Sequence, residues 1–442
     1  MSTTTESPPK KEATEAGNYF ISNYPPYSFW SPDQREAVES VLDQPPAPDT
    51  ELGLYIHIPF CRKRCHFCYF RVYTDKNASE IRTYLDDVVR EARMVADKAA
   101  IEGRPVKFVY FGGGTPSYLS PKQLRATVQE LRELFDWSQV EEITFEGEPG
   151  TLTEKKLEAI RDIGVTRLSL GFENLNDRIL EINGRAHRSP EIFRAYEAAR
   201  RIGFPQINVD LIAGMLEETE ENWQDVVKRT VEMEPDCVTI YQMEIPYNTT
   251  IYKEMKNAGT LTAPVADWPT KRRWVKQAFA AFREAGYTVT SGYTAVKDPE
   301  GTQFKYRDSL WTGADLVGLG VASFSHLQGV HYQNQHHLEL YQSEIHADRL
   351  PITRAYSTSH EERLIRELIL QMKTGRVAPA YFRDKFGENI ATKFAPQWRA
   401  LLSEGWLEQS GEDYVLNDDG LLQADRLLHG FFLPQHQNAR YT

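Results

Sequence analysis

Between residues 51 and 250 the apolar positions arrive in short bursts, at 54–58, 106–111, 143–146, 167–171, 207–212 and 237–241. Each burst is strand-length, and the stretches between them carry a helical period. Ile81, Tyr84, Leu85, Val88, Val89 and Ala92 recur at three- and four-residue steps, which marks one buried helical stripe. Further helices are predicted over 121–135, 153–163, 190–202 and 220–233. Six strands alternating with helices predict an α/β fold: a parallel sheet with right-handed crossovers, arranged as a partial (β/α)6 barrel. In such a barrel functional residues collect at the C-terminal strand ends.

Outside that core the pattern changes. Residues 1–17 are rich in Ser, Thr, Pro, Glu and Lys and are predicted to form a disordered leader. An N-terminal arm over 18–50 follows. Its aromatic run (Tyr19, Phe20, Tyr24, Tyr27, Phe29, Trp30) is expected to pack on the rest of the chain, ahead of a helix over 32–42 and a Pro-rich linker over 44–49. After the core at 51–250, residues 251–355 read as a barrel extension, with a helix over 267–285, a strand over 287–290 and a glycine-rich stretch over 313–320. Residues 356–442 read as a separate, mostly helical domain. Helices at 361–372 and 379–386, then helix, turn and short hairpin over 401–416, resemble a winged helix.

Composition narrows the class. A chain of 442 residues predicts two or three domains and a large core. Hydrophobic residues make up 41% with no run long enough to span a bilayer, and the start lacks the apolar stretch of a signal peptide. A cytoplasmic protein without membrane insertion is expected. The net charge of −12 argues against a nucleic-acid partner, and the acidic segment 404–425 argues against DNA binding by the winged-helix-like part.

The chemistry concentrates at the strand ends. Cys61, Cys65 and Cys68 stand just after the first strand, interleaved with Arg62, Lys63 and Arg64. Four cysteines in the whole chain do not suggest a disulfide framework, and Cys237 lies apart in an apolar segment. A zinc site completed by His57 or His66 is one reading of the cluster. An iron–sulfur site is the favoured one, because three ligands leave a position open and the basic neighbours offset the charge of a thiolate-ligated centre. The spacing C-x3-C-x2-C resembles that of the radical S-adenosylmethionine (radical SAM) superfamily. The next strand ends carry Gly112-Gly113-Gly114-Thr115, Glu146 and Glu148, Glu173, and Asp210. Consecutive glycines allow a close backbone approach and can aim N–H groups at a carboxylate. Glu146 and Glu148 are either an acid–base pair or solvated acids. Glu146 is the better candidate, since alternation puts it on the side of Thr144. Arg185 suits a carboxylate, but sequence alone favours a surface arginine. Asp210, set in an apolar strand, needs a partner if buried.

Taken together, the segments 55–61, 112–119, 167–171, 208–214 and 316–321 resemble the oxygen-independent coproporphyrinogen III oxidase family, from residue 18 to the C-terminus. The aromatic segment before the barrel resembles the N-terminal extension of the true oxidases, which the heme-chaperone relatives lack. The resemblance implies a radical SAM barrel in which Cys61, Cys65 and Cys68 hold a [4Fe-4S] cluster. Tyr55, Gly113, Glu146 and Phe324 then contact a cluster-bound S-adenosylmethionine, with Tyr55 at the catalytic centre. Phe67, Gly114, Thr115, Glu173, Arg185 and Asp210 contact a second molecule of it. Oxidative decarboxylation of a tetrapyrrole, in porphyrin and heme biosynthesis, is the implied activity. A small electron-donor protein such as flavodoxin or ferredoxin is the implied partner, and the protein is expected to be a monomer. Two positions depart from the family: Phe70 stands where oxidases have a further cysteine, and Glu173 where they have glutamine. Radical methyltransferases using two S-adenosylmethionine molecules and heme-binding chaperones are the alternatives.

Overall fold

The computed structural model describes residues 21–246, 248–258 and 265–437; the expected leader, and Tyr19 and Phe20 of the aromatic run, lie outside them. The six expected strands are present as β1 (Leu52–Ile58), β2 (Val106–Gly113), β3 (Glu142–Gly147), β4 (Arg167–Glu173), β5 (Gln206–Ala213) and β6 (Cys237–Gln242). They pair consecutively and in parallel. Their runs are apolar on both faces because helices cover one face and the barrel interior the other. The helix Ala78–Ala96 buries the stripe that its sequence marks, and Asn77 with Glu80 closes a reciprocal cap at its start. Ser120 and Gln123 do the same for Pro121–Leu134. Gly203, at φ +82°, ends the helix Ser189–Ile202 in the left-handed region.

The sheet goes further than six strands. A short hairpin, β7 (Thr288–Val289) and β8 (Thr294–Val296), joins antiparallel to β6. On the other edge β9 (Asp315–Leu319) lies parallel beside β1. Strands β10 (Phe324–Leu327), β11 (Val330–Asn334) and β12 (Ile352–Ser357) then continue antiparallel, giving a twelve-stranded sheet. The glycine-rich stretch at 313–320, to which sequence reading assigned no element, is therefore largely strand. Gly318 serves close approach inside the strand: a Cβ there would sit 2.2 Å from the Phe324 carbonyl oxygen.

The C-terminal part builds a second core. Helices His360–Met372, Pro379–Phe386 and Ala395–Ser403 pack with a small sheet of β13 (Arg376–Val377), β14 (Leu407–Ser410) and β15 (Asp413–Leu416), in the order β13-β15-β14. Trp398 stacks on Tyr414 at 4.0 Å between ring centroids. Tyr24 of the arm is fully buried in this same core. Trp30 stacks on His331 of β11 at 5.1 Å, and Ser31 bridges to Ala355 of β12. The described part of the aromatic run thus straps the sheet extension to the C-terminal core. Among the described residues no helix is long and apolar enough to cross a membrane.

Candidate cofactor site at the strand ends

The cysteine loop leaves β1 and is sewn down along its length. The Cys61 N–H donates to the Tyr73 carbonyl at 3.1 Å, the His66 N–H to Asn183 at 3.0 Å, and the Cys68 N–H to Cys65 at 3.1 Å. The glycines ending β2 hold it from the other side. Gly114 N–H donates to the Ile58 carbonyl at 2.7 Å and Thr115 N–H to that of Phe60 at 2.8 Å. A Cβ on Gly114 would sit 2.8 Å from the Ile58 oxygen, and one on Gly113 2.4 Å from the His57 ring. The close backbone approach these glycines permit is therefore to the cysteine loop and His57. Gly113, at φ +110°, does aim its N–H at a carboxylate, that of Glu146 at 3.1 Å.

Around the thiols the charges are arranged for an anionic centre. Burial, and then the other two cysteines, push the Cys61 thiol up to about 12, while burial and Cys65 push Cys68 up to about 11. Against this, the Thr115 hydroxyl donates to Cys61 Sγ at 3.2 Å and Arg185 Nη1 to Cys65 Sγ at 3.3 Å. Arg185, which sequence alone favours as a surface arginine, is instead buried at 9% exposure. Its Nη2 donates to the Gly171 carbonyl at 2.5 Å, and Nη1 lies 3.6 Å from Glu173. Both histidines offered for a zinc site have one ring nitrogen engaged. His57 Nδ1 is 3.1 Å from the Tyr55 hydroxyl and His66 Nδ1 is 2.9 Å from the Ile182 carbonyl. Among the described residues no three His, Cys, Asp or Glu side chains converge on a single-ion site. A centre that bonds each thiolate through a different iron does not ask for such convergence.

Beside the loop opens a cavity of about 580 Å³. Glu146 stands in it on β3, bonded to the Tyr110 hydroxyl at 2.6 Å as well as to Gly113. Glu173 enters through a register shift between Gly171 and Glu173 at the end of β4 and has φ +66°. The extra residue re-aims the side chain. Asp210 accepts from the Ser169 hydroxyl and the Asn208 amide, both at 2.9 Å, which supplies the partners its burial demanded. Burial raises the Glu146 and Glu173 carboxyls to about 7 and raises Asp210 as well, and the three carboxylates work against one another. Glu148 behaves oppositely. Although burial alone raises it, the hydrogen bond from His187 and the charges of Arg185 and Arg62 bring it down to about 2. Buried atoms of the lining without a hydrogen-bond partner include Arg185 Nε, Glu148 Oε2, Gln242 Oε1 and Arg307 Nη1. Unsatisfied polar atoms and buried, mutually repelling acids are what a polar ligand carrying positive charge would relieve.

The residues singled out from sequence divide between two cavities. Phe67, Gly114, Thr115, Glu146, Glu173, Arg185 and Asp210 line the first. Tyr55 and Phe324 line a second, of about 610 Å³, while Gly113 lies behind the His57 ring. Tyr69 and Phe70 line both. Sequence reading missed His187 and took Arg62 only as a basic neighbour of the thiols; their side chains fix Glu148 at 2.7 and 3.2 Å. It missed Tyr110 too. The available signals were slight: His187 is two residues from Arg185, Arg62 lies inside the cysteine motif, and Tyr110 precedes the glycines.

Comparison with known proteins agrees with this geometry. The radical SAM superfamily model matches residues 55–230. The heme chaperone HemW of Bacillus subtilis is 26% identical over 380 residues, covering 85% of this chain and 98% of that protein. The oxygen-independent coproporphyrinogen III oxidase of Escherichia coli is 27% identical over 392 residues, covering 86% and 81%. The solved structure of coproporphyrinogen III oxidase from Escherichia coli matches 95% of this chain and 96% of that one, with TM-score 0.80 at 24% identity.

Proposed function

We propose that this chain, which belongs to the radical SAM superfamily among the relatives of the oxygen-independent coproporphyrinogen III oxidases, oxidatively decarboxylates propionate side chains of coproporphyrinogen III or a related tetrapyrrole. Superfamily members bind a [4Fe-4S] cluster and S-adenosylmethionine. When bound, these supply the electron and the 5′-deoxyadenosyl radical that takes a hydrogen atom from substrate.

The chain's own groups bind, orient and balance charge. In this reading Cys61, Cys65 and Cys68 are the cluster ligands, and the Thr115 and Arg185 donors offset their charge. Glu146 accepts from ribose hydroxyls or a cofactor ammonium while Tyr110 and Gly113 N–H hold it in place. Tyr55, Gly113 and Phe324 complete the first cofactor's surroundings, with Tyr55 at the catalytic centre. Phe67, Gly114, Thr115, Glu173, Arg185 and Asp210 take a second S-adenosylmethionine. Electrons come from a small donor protein such as flavodoxin or ferredoxin, and the protein works as a monomer in the cytoplasm. The observation that carries this reading is the Arg185 fork. One guanidinium reaches the Cys65 thiol and the Gly171 carbonyl and pairs with Glu173, so the thiol loop and the acid-lined cavity form one unit.

A heme-carrying role is the second reading. The 26% identity to HemW over nearly that protein's whole length favours it, as does Phe70 in place of the oxidases' further cysteine. The deciding experiment incubates anaerobic, reduced protein with coproporphyrinogen III and methyl-labelled S-adenosylmethionine. Vinyl product and carbon dioxide without label transfer support the oxidase. Label in an organic product supports methyl transfer, and tight heme binding with neither product supports the carrier.

A further inference from the structure

Three basic residues stand between Cys61 and Cys65, and the fold sends them in different directions. Arg64 Nη2 donates to the Cys68 and Asn248 carbonyls at 3.0 and 3.3 Å. Lys63 is exposed. Arg62 turns to the end of β3, where its Nη2 donates to Glu148 Oε1 at 3.2 Å. The guanidinium that touches a thiol is that of Arg185, 120 residues away from Cys65. The basic neighbour next to Cys61 is thus spent on a carboxylate that the functional reading does not use.

The seat for Arg62 is built into the turn Pro149–Thr151 that follows β3. Glu148 caps this turn, accepting from the Gly150 N–H at 3.2 Å. A Cβ on Gly150 would fall 2.1 Å from Arg62 Nη2, so the guanidinium lies where a side chain would otherwise stand. His187, fully buried, completes the seat with Nδ1 2.7 Å from the same Glu148 oxygen. An ionised carboxylate only accepts, so His187 donates from Nδ1. Burial and Arg185 hold its ring toward the uncharged form. Glu148 is 11% exposed, and its pKa of about 2 keeps it an anion. Capping a turn needs no charge, since an amide oxygen accepts from the Gly150 N–H as well. The charge of Glu148 therefore answers to the two arginines that pull it down, Arg62 beside Cys61 and Arg185 against Cys65.

We propose that Glu148 is a positioning residue for the iron–sulfur centre: it seats Arg62 on the β3 turn, away from the thiolates, and so sets how readily the centre takes up an electron. This rests on the cluster reading of the thiol loop given above. An added electron is one more negative charge in a buried site, where a nearby unit charge is screened far less than in water. A cation at the sulfurs makes reduction easier and an anion makes it harder; net charge and hydrogen bonds to the sulfurs set cluster potentials. Glu148 acts in one direction on both counts. Its own charge opposes the electron, and it withholds Arg62 from the sulfurs, leaving Arg185 as the guanidinium that touches one.

The test is the reduction potential of the reconstituted full-length protein, followed by electron paramagnetic resonance at graded potentials, with iron content measured alongside. Glu148→Gln keeps the cap on Gly150 and removes the charge. It should favour the reduced centre on the order of tenfold, a rise of about 59 mV for a one-electron couple. Arg62→Gln should move the potential the other way. The double variant should return to within about twofold of the wild-type equilibrium, because the two charges leave together. Glu148→Asp, which retains the charge, should lie between Glu148→Gln and the wild type. A Glu148→Gln potential equal to that of the wild type, at full iron content, makes Glu148 a turn cap alone and overturns the proposal. Shifts of the same sign in Glu148→Gln and Arg62→Gln overturn it as well. Should Glu148→Gln take up no iron, Arg62→Gln decides, and an unchanged potential there overturns the proposal. Wild-type protein that takes up no iron overturns the cluster reading and the proposal with it, whereas a normal cluster indifferent to both substitutions overturns the proposal alone.

Discussion

Glu173→Gln replaces a buried acid with the neutral amide of nearly the same shape, and its effect follows from the carboxyl's surroundings. The side chain is 12% exposed, so solvent screens it little. Burial lifts its pKa from 4.5 to about 7 even though Arg185 pulls the other way. Below pH 4.5 the carboxyl is protonated in both folded and unfolded chains, and the substitution should be nearly neutral. Between pH 4.5 and 7 the unfolded chain releases the proton while the folded one keeps it, so the wild type loses stability as pH rises. Above pH 7 the loss is complete. At about 1.4 kcal/mol per pKa unit it amounts to something on the order of 3 kcal/mol. Glutamine does not titrate and escapes this. Thermal unfolding of cluster-free protein should therefore show the variant overtaking the wild type as pH rises from 5 to 8, with the difference levelling off above pH 8. A difference independent of pH, or a wild type that is the more stable protein at pH 8, would refute the reasoning that burial dominates this site.

Three further outcomes are expected. Cys61→Ala, Cys65→Ala or Cys68→Ala should abolish the roughly four irons of a reconstituted cluster, whereas Cys237→Ala, buried in β6, should keep them; iron analysis and charge-transfer absorption decide, and stoichiometric zinc without such absorption would sink the cluster. Gly114→Ala should lower the iron content of reconstituted protein, because the new Cβ presses on the Ile58, Pro59 and Phe60 backbone at 2.8–3.0 Å and shifts the cysteine loop; an unchanged cluster spectrum would count against that. Arg104→Ala should destabilise the fold by about 3–5 kcal/mol in denaturant unfolding, since it leaves Asp315, 1% exposed and paired at 2.9 Å, as an uncompensated buried charge on β9; a loss below about 1 kcal/mol would mean that the pair is not desolvated.

Much of the core was legible in the order of residues, because the features concerned are local. Short apolar bursts and three-to-four spacing report burial of an element's own faces, so the six strands, the Ala78–Ala96 stripe and the Glu220–Met233 helix follow from a few neighbouring positions. The three cysteines fall within one short loop, so their spacing alone pointed to a shared inorganic centre. The rest is non-local. The glycine-rich stretch at 313–320 gave no strand signal, and only the approach of the Phe324 carbonyl explains the glycine at 318 inside a strand beside β1. Arg185 is 120 residues from Cys65, and no spacing announces that its guanidinium reaches the thiol. The raised carboxyls of Glu146 and Glu173 come from desolvation by their surroundings, a property of the assembled sheet and not of the residues themselves. The second cavity is the extreme case. Its walls come from the arm, β1, the cysteine loop, β10, β11, β12 and the helix His360–Met372, and only their packing sets Arg71, Arg354 and Arg366 around one space. Sequence determines what each segment buries; which charges then face one another depends on how the segments meet.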